Sequence, residues 1–179
     1  MNGMSVDEAE TLRSDVARRI NATLDLPAAL EGDIGSVDKY AIHADPVILR
    51  GVAALLADQL PDDIEVLVGV EVGGIAVAAA LALHTGLPWA VGRRAHGERV
   101  ITRTVGTDVA GCRVAMVKDA AIGGGSLPDM ARSLSQLGAD VSAVAVGVSW
   151  TEDLASRFAG SDVSLAVALS MSDLRRHWA

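Results

Sequence analysis

Apolar residues recur at two different spacings along this chain, and the change of spacing divides it into two parts. In residues 6–30 they recur every four positions, the spacing of one helix face. A second helix is predicted to begin at Asp45-Pro46, an N-cap followed by proline at the first helical position, and to end near residue 60. Residues 1–62 are therefore predicted to form an N-terminal helical segment. The apolar positions of the first helix are Leu12, Val16, Ile20 and Leu24.

From residue 64 onward, short runs of Val, Ile and Leu alternate with alanine-rich segments of helical length. Apolar strands separated by helices indicate a parallel sheet that is covered on both faces. Residues 63–170 are therefore predicted to be the core of a single α/β domain, with a mostly parallel five-stranded sheet flanked by helices. The predicted strands are residues 65–70, 89–92, 113–118, 141–148 and 163–169, and the predicted helices are residues 74–84, 126–137, 151–158 and 172–178.

Two predicted strands end in glycine-rich segments, residues 71–74 and residues 119–126. Ligands bind at the carboxyl ends of parallel strands, so we expect the two segments to face one crevice. Three consecutive glycines leave backbone amides open, and the helix predicted to begin at Ser126 adds partial positive charge. The longer segment therefore favours an anion, most simply a phosphate. Asp119, just before the glycines, is placed to hold sugar hydroxyls or a metal beside that phosphate.

Residues 93–112 connect two predicted strands and have no clear apolar period. Loops of this length in compact domains are usually functional lids or disordered. A cationic lid suits an anionic ligand such as pyrophosphate. The alternative is a solvated hairpin with residues 99–105 as two short strands, and a flexible hairpin can also serve as a lid. The basic residues of this segment are Arg93, Arg94, His96, Arg99 and Arg103.

Composition limits the classes of function. The chain has 179 residues, 50% of them hydrophobic, which suits one domain, and a net charge of −8. The acidic balance argues against sequence-independent binding to nucleic acid. One cysteine, Cys112, excludes an internal disulfide and a cysteine-rich metal site. With no signal-peptide core and no apolar run long enough to span a bilayer, we expect a cytoplasmic protein that binds neither nucleic acid nor membranes.

In their order and spacing, these segments resemble the type I phosphoribosyltransferases, and among them the orotate phosphoribosyltransferases. Residues 37–49 resemble the family's substrate-side segment, residues 68–76 its pyrophosphate loop, and residues 93–98 a shortened form of its basic hood. The phosphoribosyl-diphosphate loop, residues 118–126, departs from the family pattern. Where the family has a pair of acids and later a pair of threonines, this chain has Lys118-Asp119 and Ile122-Gly123.

The resemblance implies transfer of ribose 5-phosphate from 5-phosphoribosyl 1-diphosphate (PRPP) to a nitrogenous base, an orotate-like pyrimidine by default. It also implies a homodimer, and Mg²⁺ bridged by the substrate's own phosphates with no metal ligands dedicated by the protein. Asp119, Arg94 and His96 would be catalytic: the acid at the ribose, the two basic residues closing over the pyrophosphate. The implied substrate-binding residues are Glu71, Val72, Gly73, Gly74, Arg93, Lys118, Ala121, Ile122, Gly123, Gly124, Gly125, Ser126, Lys39 and Tyr40.

The altered loop leaves alternatives open. Lys118 either turns outward to a surface acid, leaving Asp119 to act alone, or points inward and binds phosphate. The chain is accordingly an active transferase, a catalytically impaired binder of PRPP or a nucleotide that serves as a regulator or partner subunit, or a transferase with a changed acceptor. Glu71 either orients the pyrophosphate loop or pairs with an arginine, and His43 either faces the base pocket or is an exposed loop residue.

Overall fold

The computed structural model of the chain describes residues 3–23, 40–95 and 100–177. Within these ranges it contains six strands, six α-helices and one short 3₁₀ helix, Ala155–Phe158. The strands are β1 Val66–Val70, β2 Trp89–Arg94, β3 Ile101–Gly106, β4 Arg113–Ala121, β5 Asp140–Ser149 and β6 Ser164–Ser170. The helices are α1 Val6–Asn21, α2 Ala41–Ala44, α3 Pro46–Ala57, α4 Gly74–Thr85, α5 Leu127–Gln136 and α6 Met171–Arg176.

The strands form one sheet in the order β3-β2-β1-β4-β5-β6. All neighbouring pairs are parallel except β2 and β3, which form an antiparallel hairpin. The predicted single α/β domain with a mostly parallel sheet is therefore confirmed. The sheet has six strands where five were predicted, because β3 is an edge strand with mostly exposed side chains and no apolar run to reveal it.

The segment predicted as a flexible loop, residues 93–112, contains the end of β2 and all of β3. Arg93 therefore lies opposite Arg103 in the hairpin ladder and does not belong to a loop. Residues 96–99 lie outside the described residues. Residues 101–106 form one strand that pairs with β2, and not the two short strands that the hairpin interpretation placed within residues 99–105. A role of this segment as a lid stays a prediction.

Helices cover both faces of the sheet. On one face α1, α3, α4 and α6 pack against apolar side chains of the central strands, with Ile48, Leu56 and Leu81 fully buried. On the other face α5 contributes Met130 and Leu134, next to Phe158 of the 3₁₀ helix. Full burial of one such side chain stabilises the fold by about 1.5–3 kcal/mol. The predicted helix at residues 151–158 is reduced to this single 3₁₀ turn.

Capping residues fix the starts of helices α1 and α3. Asp45 accepts hydrogen bonds from the backbone of Val47 and Ile48, so the predicted cap of α3 with its following proline is confirmed. Ser5 and Glu8 form a reciprocal capping box at the start of α1. Among the described residues no helix is long and apolar enough to cross a membrane.

Candidate active site

The loop after β1, residues 71–74, packs directly on the end of β4. A Cβ added at Gly73 would lie 2.0 Å from Oδ2 of Asp119, and one added at Gly74 would lie 2.5 Å from the carbonyl oxygen of Val117. Any side chain at either position would therefore displace the loop or the strand. The peptide bond between Glu71 and Val72 is cis. The two glycine-rich segments meet at Asp119, as their positions on neighbouring parallel strands predict.

Glu71 ties this loop to the end of β2. Its Oε2 accepts from Nε of Arg93 at 2.7 Å, and its Oε1 accepts from the backbone N–H of Arg94 at 2.6 Å. Glu71 thus both pairs with an arginine and orients the loop, so the two alternatives considered for it hold together. Nε of Arg94 is buried and has no hydrogen-bond partner among the described residues.

Asp119 is buried at the carboxyl end of β4, with 3% of its side chain exposed. Nζ of Lys118 donates to its Oδ1 at 2.8 Å, and 16% of the Lys118 side chain is exposed. Burial by itself would raise the pKa of Asp119. The positive charge and hydrogen bond of Lys118 outweigh it, helped by the Ala120 N–H and the charge of His43, so the pKa lies below its usual value. Asp119 is therefore ionised at neutral pH.

Lys118 does not turn outward, the first of the two orientations considered from the sequence. It does not reach a surface acid, because its partner is the neighbouring Asp119. It does point inward, but it neutralises the carboxylate that the resemblance assigns to catalysis. The sequence did not suggest this pairing because successive strand residues point to opposite faces. The contact forms near the carboxyl end of β4, just beyond Val117, the last residue of the strand that pairs with β1.

The second loop, residues 122–126, is open on one side. Added Cβ atoms at Gly123 and Gly125 would have nothing within 4 Å, whereas Gly124 has a φ of +67° and lies against Leu154. Ser126 precedes α5 without a side-chain capping bond, so the helix does not engage its hydroxyl. A cleft of about 410 Å³ lies beside this loop. Its walls include Arg94, Lys118 and residues 120–127.

The predicted site residues differ in how they are related to the cleft. Arg94, Lys118 and residues 121–126 line the cleft, and Glu71, Gly73 and Arg93 are connected to it through the contacts above. No contact in the described part of the chain links Val72 to the cleft, and its side chain is exposed. Lys39 and His96 lie outside the described residues.

Tyr40 and His43 lie at the start of the substrate-side segment that the resemblance indicates. Tyr40 is exposed and makes an edge-on ring contact with His43, with the ring centroids 6.0 Å apart. His43 is half-buried, and its charge acts on Asp119. His43 is thus not a fully exposed loop residue, and its place in the base pocket stays a prediction. A larger cavity of about 750 Å³ lies between α1 and α3, lined mainly by residues of these two helices, and contains none of the predicted site residues.

Known proteins resemble this chain in sequence and in fold. No family model matches it. The orotate phosphoribosyltransferase of a Nocardioides species is 36% identical over 112 residues, which cover 62% of this chain and 63% of that protein. The orotate phosphoribosyltransferase of Halobacterium salinarum is 34% identical over 139 residues, 77% of this chain and 79% of that protein. The chain belongs to the orotate phosphoribosyltransferase family.

The structural comparison agrees with the family. The orotate phosphoribosyltransferase of Mycobacterium tuberculosis H37Rv, in its structure with PRPP, superposes with a TM-score of 0.73 at 20% identity, covering 92% of each chain. The adenine phosphoribosyltransferase of Rhodothermus marinus gives a TM-score of 0.64 over 88% of this chain and 99% of that one. Sequence identities this low establish the shared fold alone. The fold of these transferases is thus present over 92% of the chain.

Proposed function

We propose that this orotate phosphoribosyltransferase family member transfers ribose 5-phosphate from PRPP to a ring nitrogen of orotate and releases pyrophosphate. The bond between the anomeric carbon and the diphosphate oxygen breaks, and the oxygen keeps the electron pair. The nitrogen of the base then supplies the electrons of the new bond and loses its proton, which the released pyrophosphate or water takes up. The observation that supports this best is the meeting of the two loops at one buried, ionised carboxylate, Asp119.

The proposed roles of the residues follow from charge and position. The open amides of residues 122–126 and the start of α5 suit the 5′-phosphate. The loop at Gly73 and Gly74, with Arg94 beside it, suits the diphosphate. Asp119 between them would stabilise positive charge that develops on the ribose as the diphosphate leaves, an effect that fixed charges in a water-poor site provide strongly. His96 and Lys39 keep their proposed roles as residues that close over the diphosphate and line the base pocket.

Mg²⁺ is part of this proposal as an ion bound mainly by the substrate's phosphates. Among the described residues no group of three or more His, Cys, Asp or Glu is arranged to hold a metal. Asp119 is the residue of the site that could add a carboxylate oxygen, and its Oδ1 is already engaged by Lys118. A single carboxylate oxygen suits an ion that is held mainly by the substrate's phosphates. The ion would supply positive charge to the leaving diphosphate.

A second candidate function is binding without turnover, as a regulator or partner subunit. The observation in its favour is the ion pair of Lys118 with Asp119, which places a cation where positive charge would develop on the ribose. Like charges in a site of low dielectric constant repel one another, so this arrangement would slow bond cleavage. Ile122, half exposed in place of a hydroxyl-bearing residue, also removes a donor from the phosphate loop.

One experiment separates the two candidates. The protein is incubated with PRPP, Mg²⁺ and orotate, and pyrophosphate release is followed together with the heat of PRPP binding. The transferase predicts release that requires orotate and is lost in Asp119→Asn. Binding without release, for orotate and for a panel of other bases, would favour the regulator. Release with another base but not with orotate would indicate a changed acceptor.

The proposed assembly is a homodimer in the cytoplasm. We propose that the second subunit covers exposed apolar side chains such as Leu83 on α4, which is 90% exposed, and Val47 on α3. Light scattering coupled to size exclusion would give twice the 18.4 kDa mass of the chain if the proposal is right, and the single mass if it is wrong. Cell fractionation tests the location.

A further inference from the structure

Lys118 lies between the buried acid and the open glycine loop. Successive strand residues point to opposite faces of a sheet, and near the end of β4 Met116 faces α5 while Val117 faces α3 and α4. The side chain of Lys118 therefore leaves β4 on the α5 side, where it lines the cleft beside the loop. Its Nζ reaches Oδ1 of Asp119, the next residue of the strand. The ammonium thus borders both the carboxylate and the cleft.

The cleft has an excess of hydrogen-bond donors and positive charge. Arg94 and Lys118 both line it, and Nε of Arg94 is buried without a partner in the described part of the chain. The charge of Asp119 is already balanced by Lys118. A buried donor without an acceptor costs free energy, so this arrangement favours an anion that accepts from these side chains. The protein itself supplies positive charge where a phosphorylated sugar would bind.

We propose that Lys118 binds PRPP directly and supplies part of the positive charge that a divalent cation otherwise brings to it. An ammonium has three donors, so Lys118 can keep its bond to Asp119 while it donates to a phosphate oxygen. The inference rests on the proposed function, because it takes PRPP as the ligand. Lys118 and Mg²⁺ then partly substitute for each other, and the loss of one increases the dependence of binding on the other.

The test is a binding cycle measured by calorimetry without an acceptor base. The Kd of PRPP is determined for wild type and for Lys118→Gln, each in Mg²⁺ and in EDTA. The proposal predicts that Lys118→Gln weakens binding about tenfold or more in EDTA but about threefold or less in Mg²⁺. In EDTA nothing replaces the lost charge of Lys118, whereas in Mg²⁺ the ion compensates for it. Equal losses in the two conditions would mean that Lys118 merely holds Asp119 in place, and would overturn the inference.

Matched variants separate charge from structure. Lys118→Met, a second neutral variant of similar length, should repeat the result, and Lys118→Arg should bind within about threefold of wild type in EDTA because it keeps the cation. Arg132→Gln removes an exposed charge from α5 and should leave both Kd values unchanged.

Two outcomes distinguish this inference from the proposed function. Wild-type protein that binds no PRPP in either condition contradicts the proposed function. Wild-type protein that binds PRPP, but loses more than about tenfold in affinity when Mg²⁺ is removed, contradicts the inference alone. This measurement needs no variant, so the inference is tested even if the neutral substitutions fail to fold.

Discussion

The loops that follow β1 and β4 both contain consecutive glycines, but the first loop is closely packed against the protein and the second is open. Gly73 and Gly74 lie against Asp119 and the backbone of β4, with no room for a Cβ atom. Gly123 and Gly125 lie beside the cleft, where a Cβ atom would meet no protein atom within 4 Å. The first loop needs glycine for the fold, since its backbone is pressed against its neighbour. In the second loop, glycine leaves a space that no protein atom fills and that is open to a ligand.

This difference indicates which glycines serve a ligand. A glycine required by packing is explained by the protein's own atoms, and its loss should disturb stability first. A glycine that faces open space, at a backbone conformation open to other residues, has no such explanation, and its loss should disturb binding first. Asp119, near the end of β4, lies against Gly73 of the first loop and precedes the second loop.

The largest effect is expected where the two loops meet. Asp119→Asn removes the negative charge from the site, and we expect kcat/KM for pyrophosphate release to fall on the order of a hundredfold or more, as is typical when one electrostatic group of an active site is removed. Steady-state kinetics with PRPP and orotate provide the measurement. Asp162→Asn, which removes an exposed acid shortly before β6, is the matched control and should retain wild-type kinetics.

The closely packed loop is tested by Gly74→Ala. The new Cβ would lie 2.5 Å from a backbone oxygen of β4, which cannot move as a flexible side chain can. We expect the free energy of unfolding to fall by about 1–3 kcal/mol, the usual cost of overpacking. Urea denaturation measures it. Unchanged stability would mean that this loop is not held against β4.

The ion pair of Lys118 with Asp119 predicts that the free energy of unfolding depends on pH. Because the folded-state pKa of Asp119 is lowered, its stabilising contribution is complete above its unfolded pKa of about 3.9 and is lost as the pH falls through the folded value. Lys118→Gln leaves a buried, unpaired carboxylate, so we expect it to lower the free energy of unfolding at pH 7 by about 1–3 kcal/mol.

In Lys118→Gln, protonation of Asp119 relieves this cost. The stability difference between wild type and variant should therefore shrink as the pH falls from 7 towards 4. Urea unfolding at a series of pH values measures it. A difference that stays constant over this range would show that Lys118 does not stabilise ionised Asp119.

The smallest effect on stability is expected in the open loop. Gly123→Ala adds a methyl group that meets no protein atom, and it restricts the unfolded chain, so stability should stay the same or rise by up to about 1 kcal/mol. The same methyl group would obstruct a phosphate, and PRPP affinity should fall about fivefold, or close to 1 kcal/mol. Calorimetry and urea unfolding of one preparation measure both. Loss of stability with unchanged affinity would mean that Gly123 is required for packing and not for ligand binding.

The sequence predicted the parts of the fold that depend on local signals. The N-cap at Asp45, the apolar central strands and the glycine-rich strand ends all depend on neighbouring residues, and the structure contains them. The edge strand β3 was missed because its ladder is made by backbone groups while its side chains, such as Thr102 and Arg103, are polar and exposed. Its existence depends on pairing with β2, which a local pattern does not contain.

The sequence predicted which residues belong to the candidate site, but not which of them form pairs. The resemblance named Asp119, Lys118 and Glu71 as site residues, and the structure brings all three to the ends of the central strands. It did not reveal that Lys118 pairs with its own neighbour, or that Glu71 holds both the Arg93 side chain and the Arg94 backbone. These contacts depend on how the strand ends and side chains meet in space.

A crystal structure of the protein with PRPP would show whether the two loops bind it together. We expect the 5′-phosphate against the amides of residues 122–126, the diphosphate beside Gly73 and Gly74, and the ribose next to Asp119. This expectation would be contradicted if PRPP bound elsewhere, for example in the cavity between α1 and α3, or if both loops stayed free of ligand at a concentration at which calorimetry shows saturation.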